Sequence, residues 1–395
     1  TKNVVQTRTS SDAGATWSAV VDLSEGSQDA YGPQIVAAPN NTLTAIWYRF
    51  NGTKNVIQTR TSSDAGATWS AAVDLSDDTQ KATIPQIVAA PNNALTAIWE
   101  RFNGTKYVIQ TRTSSDAGAT WSAAVDLSDD TEDATIPRIV AAPNNTLTAI
   151  WVRSNGTKNV VQTGTSSDAG VTWSAVVDLS DDTQNAYGPQ IVAAPNNTLT
   201  AIWVGPNGTK DVIQTRTSSD AGATWSAVID LSDATQNAYD PNIVAAPNNT
   251  LTAIWGRSNG TQDVIQTRTS SDAGATWSAA VDLSEGTQSA YAPDIVAPTN
   301  NTLTAIWYRS NGTKTVIQSS TFASSSSAGA SSDPGVPGIF LTVAGPVGRS
   351  ASESPIYYGA DRVSVTSTYL LTVTGVSNIT PTITTLAEGT IDADG

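Results

Sequence analysis

Six aspartates recur 52 residues apart, at Asp12, Asp64, Asp116, Asp168, Asp220 and Asp272, each inside Ser-Ser-Asp-Ala-Gly-Ala-Thr-Trp or a one-residue variant of it. A carboxylate so placed could ligate a cation, brace a turn, or serve as an acid or base in hydrolysis. Calcium takes several carboxylates per ion, and each copy supplies one, so the pattern favours bracing. The Asp accepts backbone hydrogen bonds, Gly14 takes a conformation that other residues resist, and Trp17 packs between copies. Cys, Met and His are absent. That removes thiolate nucleophiles, imidazole bases and the usual zinc or copper ligands, and no metal or cofactor is expected.

The remaining chemistry sits where the copies differ. Tyr31, Tyr187, Tyr239 and Tyr291 recur at one position, Tyr48 and Tyr308 at another, and Glu100 and Arg138 are singular. Aromatic rings beside acidic and amide groups suit a sugar or a protein partner; surface drift after duplication is the plain alternative. Arg49, Arg101, Arg153, Arg257 and Arg309 recur symmetrically, whereas clamping one substrate carboxylate needs arginines converging from non-equivalent places. Glycoside hydrolysis likewise needs two acids in unlike environments, which equal copies do not naturally create.

These residues must be carried by a repeated unit that buries its apolar face against the next copy. Within one copy, Pro33-Gln-Ile-Val-Ala-Ala-Pro39 reads as a short strand A with Pro at its ends, and Asn40-Asn41 as a tight turn. Thr42 to Tyr48 alternates as strand B, Asn51-Gly52 is a hairpin signal, Thr53 to Thr61 is strand C, and Trp69 to Leu75 is strand D. Nothing has helical spacing. The fold class is therefore all-β: a six-bladed β-propeller of four-stranded antiparallel blades, plus a small C-terminal β module. Residues 1–321 form the propeller, 322–337 a Ser/Ala/Gly/Pro linker, and 338–395 the module, with strands over Gly338 to Val343 and Arg362 to Val376. The ring closes if the first strand D joins the last strands A and B. One strand C is then surplus, and either residues 1–9 or 313–321 fill the slot. The D–A and B–C connections open on one face, which holds the variable tyrosines.

The net charge of −15, from 20 basic and 35 acidic residues with no basic cluster, excludes the nucleic-acid footprint. No apolar run nears the roughly 18 residues of a membrane span. The Thr, Ser and Asn content with sparse Lys suits an exported, extracellular or cell-surface protein. Thr1 is not a translation start, so a leader or further repeat sequence is expected before it. Asn-x-Thr occurs at Asn40, Asn51, Asn103, Asn144, Asn155, Asn196, Asn207, Asn248, Asn259, Asn300, Asn311 and Asn378. These are glycosylation sites where the host has the machinery, and turn chemistry explains most of them equally well.

Ser10-x-Asp12-x-Gly14-x-Thr16-Trp17 and its successors resemble the Asp-box, or BNR repeat, of sialidase-like β-propellers, where the motif turns between the third and fourth strands of a blade. The resemblance covers residues 1 to about 321. Sialidases of that family use an arginine triad, a Tyr nucleophile backed by Glu, an Asp acid/base and a Phe/Tyr-Arg-Ile-Pro string. Pro137-Arg138-Ile139 lacks the order of that string, and no triad can be assembled. The expectation is a non-catalytic structural or adhesive protein, self-associating through added strands. A lectin-like glycan binder and a sialidase-like glycoside hydrolase are the alternatives.

Overall fold

A computed structural model describes residues 2–298 and 302–323, and the backbone of four short strands beyond. Contacts divide the chain into Thr1–Ser326 and Ser327–Gly395. The first unit opens with β1 (Gln6–Thr7) and β2 (Val21–Asp22), which pair with each other. Four-stranded antiparallel sheets follow, the first being β3 (Ala30–Ala37), β4 (Leu43–Phe50), β5 (Asn55–Ser62) and β6 (Val73–Asp74). The same order recurs in β7–β10 (residues 82–126), β11–β14 (134–178), β15–β18 (187–230) and β19–β22 (238–282). A three-stranded sheet, β23 (Ala290–Val296), β24 (Thr302–Ser310) and β25 (Thr315–Ala323), ends the unit. In the second unit β26 (Phe340–Ala344) pairs with β28 (Leu370–Thr374), and β27 (Val363–Ser364) with β29 (Thr390–Ile391). Of the linker expected at 322–337, residues 322 and 323 instead end β25, and the rest lies outside the described residues.

The core forms between sheets. Ile46, Ile57 and Leu75 of one sheet pack on Ala82, Ala97 and Trp99 of the next, and the later junctions repeat the scheme. The strand B tryptophans Trp47, Trp99, Trp151, Trp203 and Trp255 are fully buried. Wholly burying so large a ring is worth several kcal/mol, which is why one Trp per copy can anchor each junction. Neighbouring turns are also stitched together. The N–H groups of Asn40, Asn92, Asn144 and Asn196 donate to Oδ1 of Asn93, Asn145, Asn197 and Asn249 in the following copy, at 2.8 to 3.0 Å. The acceptor Asn takes positive φ, as Asn41 does at 65°.

Three expectations are corrected. Strand D is two residues long, because serine side chains replace ladder bonds on either side of it: the Ser70 hydroxyl accepts from the Thr61 N–H at 3.0 Å, and that of Ser76 from Ile57 at 2.9 Å. Strand A begins before Pro33, which sits in a bulge between Tyr31 and Gln34. The closing pairing of the ring is not made. Residues 315–323 fill the third place in the last sheet, while β2 pairs with β1.

Candidate functional site

Each strand A carries the same bulge, and one residue in it has positive φ: Gly32, Ile84, Ile136, Gly188, Asp240 and Ala292. Positive φ is strained for β-branched Ile, so the surrounding sheet imposes the geometry. Bulges re-aim side chains. Two residues after the strained one, the copies present Gln34, Gln86, Arg138, Gln190, Asn242 and Asp294, and two neighbouring pairs of this series are hydrogen-bonded. Arg138 Nε donates to Gln190 Oε1 at 3.2 Å, and Asn242 Nδ2 donates to Asp294 Oδ1 at 2.7 Å.

These four residues line an open depression of about 960 Å³ with Tyr187, Tyr239, Asp211, Asp240 and Asp263. Burial lowers the pKa of the Arg138 guanidinium, although it stays charged at any working pH. The Tyr239 hydroxyl is buried without a hydrogen-bond partner of good geometry. Burial first, and then the neighbouring Asp263 carboxylate, push its pKa well above the ordinary phenol value. The depression thus combines a cation, carboxylates, amides, an exposed Tyr187 ring and the Tyr239 phenol held beside Asp263, the mixture that orients a polyhydroxylated ligand.

Of the residues singled out in the sequence, Arg138, Tyr187 and Tyr239 meet here, and the others stand apart. Tyr31 and Tyr48 pair with each other, ring centroids 5.7 Å apart, and the Tyr31 hydroxyl accepts from Asn3 Nδ2 at 2.8 Å. Tyr291 and Tyr308 are exposed partners across β23 and β24. Glu100 is corrected: it is only 7% exposed and unavailable to a ligand. Thr83 Oγ1 donates to its Oε1 at 2.7 Å, and burial raises its pKa. Asn242, Asp294, Gln190, Asp211 and Asp263 were missed as site residues. The signal was present, since Asp211 and Asp263 replace an Asn found at residues 3, 55 and 159.

The Asp-boxes are self-contained turns. In the fourth box Asp168 Oδ1 accepts from the Thr172 N–H at 2.9 Å and Oδ2 from the Thr172 hydroxyl at 2.6 Å, while Ser166 Oγ donates to Oδ1 at 2.8 Å. These donors, the Thr hydroxyl foremost, hold Asp12, Asp64, Asp116, Asp168 and Asp220 at a pKa of about 2, and Asp272 is lowered likewise. The box glycine also touches the preceding copy: a Cβ on Gly222, where φ is +87°, would lie 2.5 Å from Thr165 Cγ2. The Trp behind the box is partly buried at Trp69, Trp121 and Trp225 against the sheet core, but Trp17 is 57% exposed.

The recurrent arginines are accounted for by ion pairs with the D–A connections: Arg49–Glu25, Arg101–Asp77, Arg153–Asp129, Arg257–Asp233 and Arg309–Glu285, at 2.7 to 3.1 Å. Of the Asn-x-Thr sites, Asn51, Asn103, Asn155, Asn259 and Asn311 use Oδ1 to accept from the N–H two residues on, at 2.9 to 3.1 Å, and Asn40, Asn144, Asn196 and Asn248 do the same at 3.0 Å. Asn207 instead donates from Nδ2 to Asp230. Asn300 and Asn378 lie outside the described residues. No helix among the described residues is long and apolar enough to cross a membrane.

The chain is similar to several solved structures. A protein of unknown function from Dyadobacter fermentans matches at 14% identity and TM-score 0.50, covering 74% of this chain and 94% of that one. The α-L-arabinofuranosidase of Fusarium graminearum in complex with arabinobiose matches at 18% identity and TM-score 0.49, covering 74% and 93%. The Hadza microbial sialidase Hz136 matches at 16% identity and TM-score 0.47, covering 73% of this chain and 65% of that one. At these identities the likeness is one of fold. No curated protein matches the sequence. The expectation of a non-enzyme is nevertheless corrected, because the solved structures that share this architecture include glycosidases. The premise behind that expectation, six equivalent copies, also fails at the depression, where Arg138, Gln190, Asn242 and Asp294 occupy one repeat position with four different chemistries. The BNR repeat-like domain family matches residues 1–187 and 103–283, together more than half of the sequence, and the chain belongs to that family.

Proposed function

We propose that this protein binds a saccharide in the depression around Arg138, Gln190, Asn242 and Asp294, and that it works outside the cell. The observation that carries the reading is the broken symmetry of that series. Donors and acceptors are bonded to each other in pairs, Arg138 to Gln190 and Asn242 to Asp294, beside the exposed ring of Tyr187. Pre-paired polar groups next to an aromatic face suit hydroxyl recognition with stacking. The test is a glycan array followed by calorimetry. Arg138→Gln, which installs the residue of three other copies, should weaken the selected glycan about tenfold, a loss of about 1.4 kcal/mol. An array without a hit, or a hit indifferent to Arg138→Gln and Tyr187→Ala, sinks the reading.

A second reading, hydrolysis of a glycosidic bond at the same place, is favoured by the Tyr239 hydroxyl set against the Asp263 carboxylate. A chromogenic panel that includes α-L-arabinofuranosides and sialosides tests it. Turnover should vanish in Tyr239→Phe, and no turnover on any substrate of the panel rejects it.

We further propose that six blades close in solution, with the first two-stranded sheet covering the outer face of the last. Ile306 and Ile317 are 43% and 61% exposed there, while their counterparts Ile254 and Ile265 are fully buried. Light scattering reads the outcome. A concentration-independent monomer supports closure within one chain, and a mass that grows with concentration replaces it with self-association.

A further inference from the structure

The notch between the first and second complete sheets differs in charge from its counterparts. At the start of strand C a backbone N–H points to a side chain 26 residues further on. Asn3 donates to Asp29 at 2.8 Å, Tyr107 to Asp133 at 2.8 Å, Asn159 to Asn185 at 3.0 Å, Asp211 to Asn237 at 3.1 Å, and Asp263 to Ser289 at 3.3 Å. For Asn55 that partner is Lys81, which has no acceptor to offer.

Among the described residues, the lysine before the N–H is paired in only two copies. Lys2 pairs with Asp29 at 3.5 Å and Lys106 with Glu132 at 2.8 Å. Lys54, like Lys158 and Lys210, has no carboxylate within ion-pair range among the described residues, with Gln80 standing where their copies have Gln184 and Gln236; what sets this copy apart is the second cation, Lys81. Lys81 Nζ donates to the Tyr107 hydroxyl at 3.2 Å and lies 5.5 Å from the centre of that ring. Glu100, whose charge Lys81 feels, is buried with Thr83 and does not line the notch.

The walls are aromatic. Phe50, Phe102 and Tyr107 line a hollow of about 470 Å³ with Lys54, Lys81 and Asn55, and the Phe102 and Tyr107 rings are 5.3 Å apart, tilted by 57°. Later copies have Ser154, Pro206, Ser258 and Ser310 where Phe50 and Phe102 stand, and no other copy has an aromatic residue at the place of Tyr107. The hollow therefore offers two ammonium groups, an N–H deprived of its side-chain cap and flat apolar walls, with no carboxylate in its lining, on a protein of net charge −15.

We infer that this hollow binds a carboxylate carried on a sugar ring, as in a hexuronate residue of an acidic polysaccharide. Lys54, Lys81 and the Asn55 N–H take the carboxylate, and the ring face lies against Phe102 and Tyr107. The hollow shares no residue with the depression around Arg138, so the inference stands apart from the saccharide reading made there.

The test is calorimetry of the intact chain with digalacturonate, its dimethyl ester and inorganic sulfate at low ionic strength. Digalacturonate should bind at least ten times more tightly than the neutral ester or sulfate. Lys81→Asp, which restores the residue of two other copies, and Phe102→Ser, which installs that of three, should each weaken it at least tenfold with unchanged circular dichroism. Arg138→Gln should leave it unaltered. Equal affinity for acid and ester, sulfate binding as tight as the uronate, or full affinity in Lys81→Asp overturns the inference. Loss in Arg138→Gln reassigns the ligand to the depression.

Discussion

Replacing Glu100 with Val should stabilise this protein at neutral pH. Glu100 lies opposite Thr83 in the ladder, and its nearly complete burial is the largest influence on its carboxyl, raising the pKa despite hydrogen bonds from Thr83 and the Ile136 backbone and the charge of Lys81. The next copy holds Thr135 opposite Val152 in the same register, so the Thr–Val pair already fits the fold. Losing two hydrogen bonds to a charged acceptor costs roughly 1.5 to 3 kcal/mol each. Against it stand the relieved desolvation of the carboxylate, several kcal/mol, and burial of the Val side chain, about 1.5 kcal/mol. Because the raised pKa shows desolvation outweighing both hydrogen bonds and the Lys81 charge, the balance is a gain of about 1 kcal/mol.

The pH dependence checks the cause. A carboxyl whose folded pKa lies above its unfolded value of 4.5 destabilises the fold once pH exceeds the folded value, and does so no longer below the unfolded one. The advantage of Glu100→Val should therefore be largest at pH 7 and shrink towards pH 4. Urea titrations followed by tryptophan fluorescence measure both. The other carboxyls are common to the two proteins and drop out of the difference. A variant less stable than the parent at pH 7, or an advantage equal at pH 7 and pH 4, refutes the reasoning.

The junction tryptophans should dominate stability: Trp203→Ala, at a fully buried ring, should cost about 3 to 5 kcal/mol, while Trp17→Ala at 57% exposure should shift the urea midpoint far less. The Asp-boxes should make the array acid-sensitive. Five of their aspartates fall from 3.8 unfolded to about 2 folded, so their stabilisation is present above pH 4 and lost as pH falls through 2. Thermal melts between pH 5 and pH 2 should show this, and Asp168→Asn should flatten the profile.

Local pairing was legible because it is written in local chemistry. The Asn51-Gly52 turn and the alternation from Leu43 to Trp47 place β4 and β5 within a residue or two. Strand D was overread, since Trp69 to Val73 has strand-like residues while Ser70 and Ser76 take over the bonds that a ladder would make. The strand A bulge was invisible, because residues as unlike as Gly32, Ile84 and Asp240 adopt its positive φ, and no residue type announces it. Half of the depression could be read by comparing copies, which exposed Arg138, Tyr187 and Tyr239. The rest needed coordinates: Gln190, Asn242 and Asp294 matter because each reaches the next copy's equivalent or is reached by it, and strand order does not tell which equivalents touch.

Every ladder in the repeat array joins segments that are consecutive in the chain. Units this alike could trade strands with one another, and the brevity of the intervening turns protects against it. A partner a few residues away closes its loop sooner than an identical partner one or more copies distant. The same arrangement frees the gene to recombine: adding or deleting one whole 52-residue unit lengthens or shortens the array without remaking a single strand pair inside it.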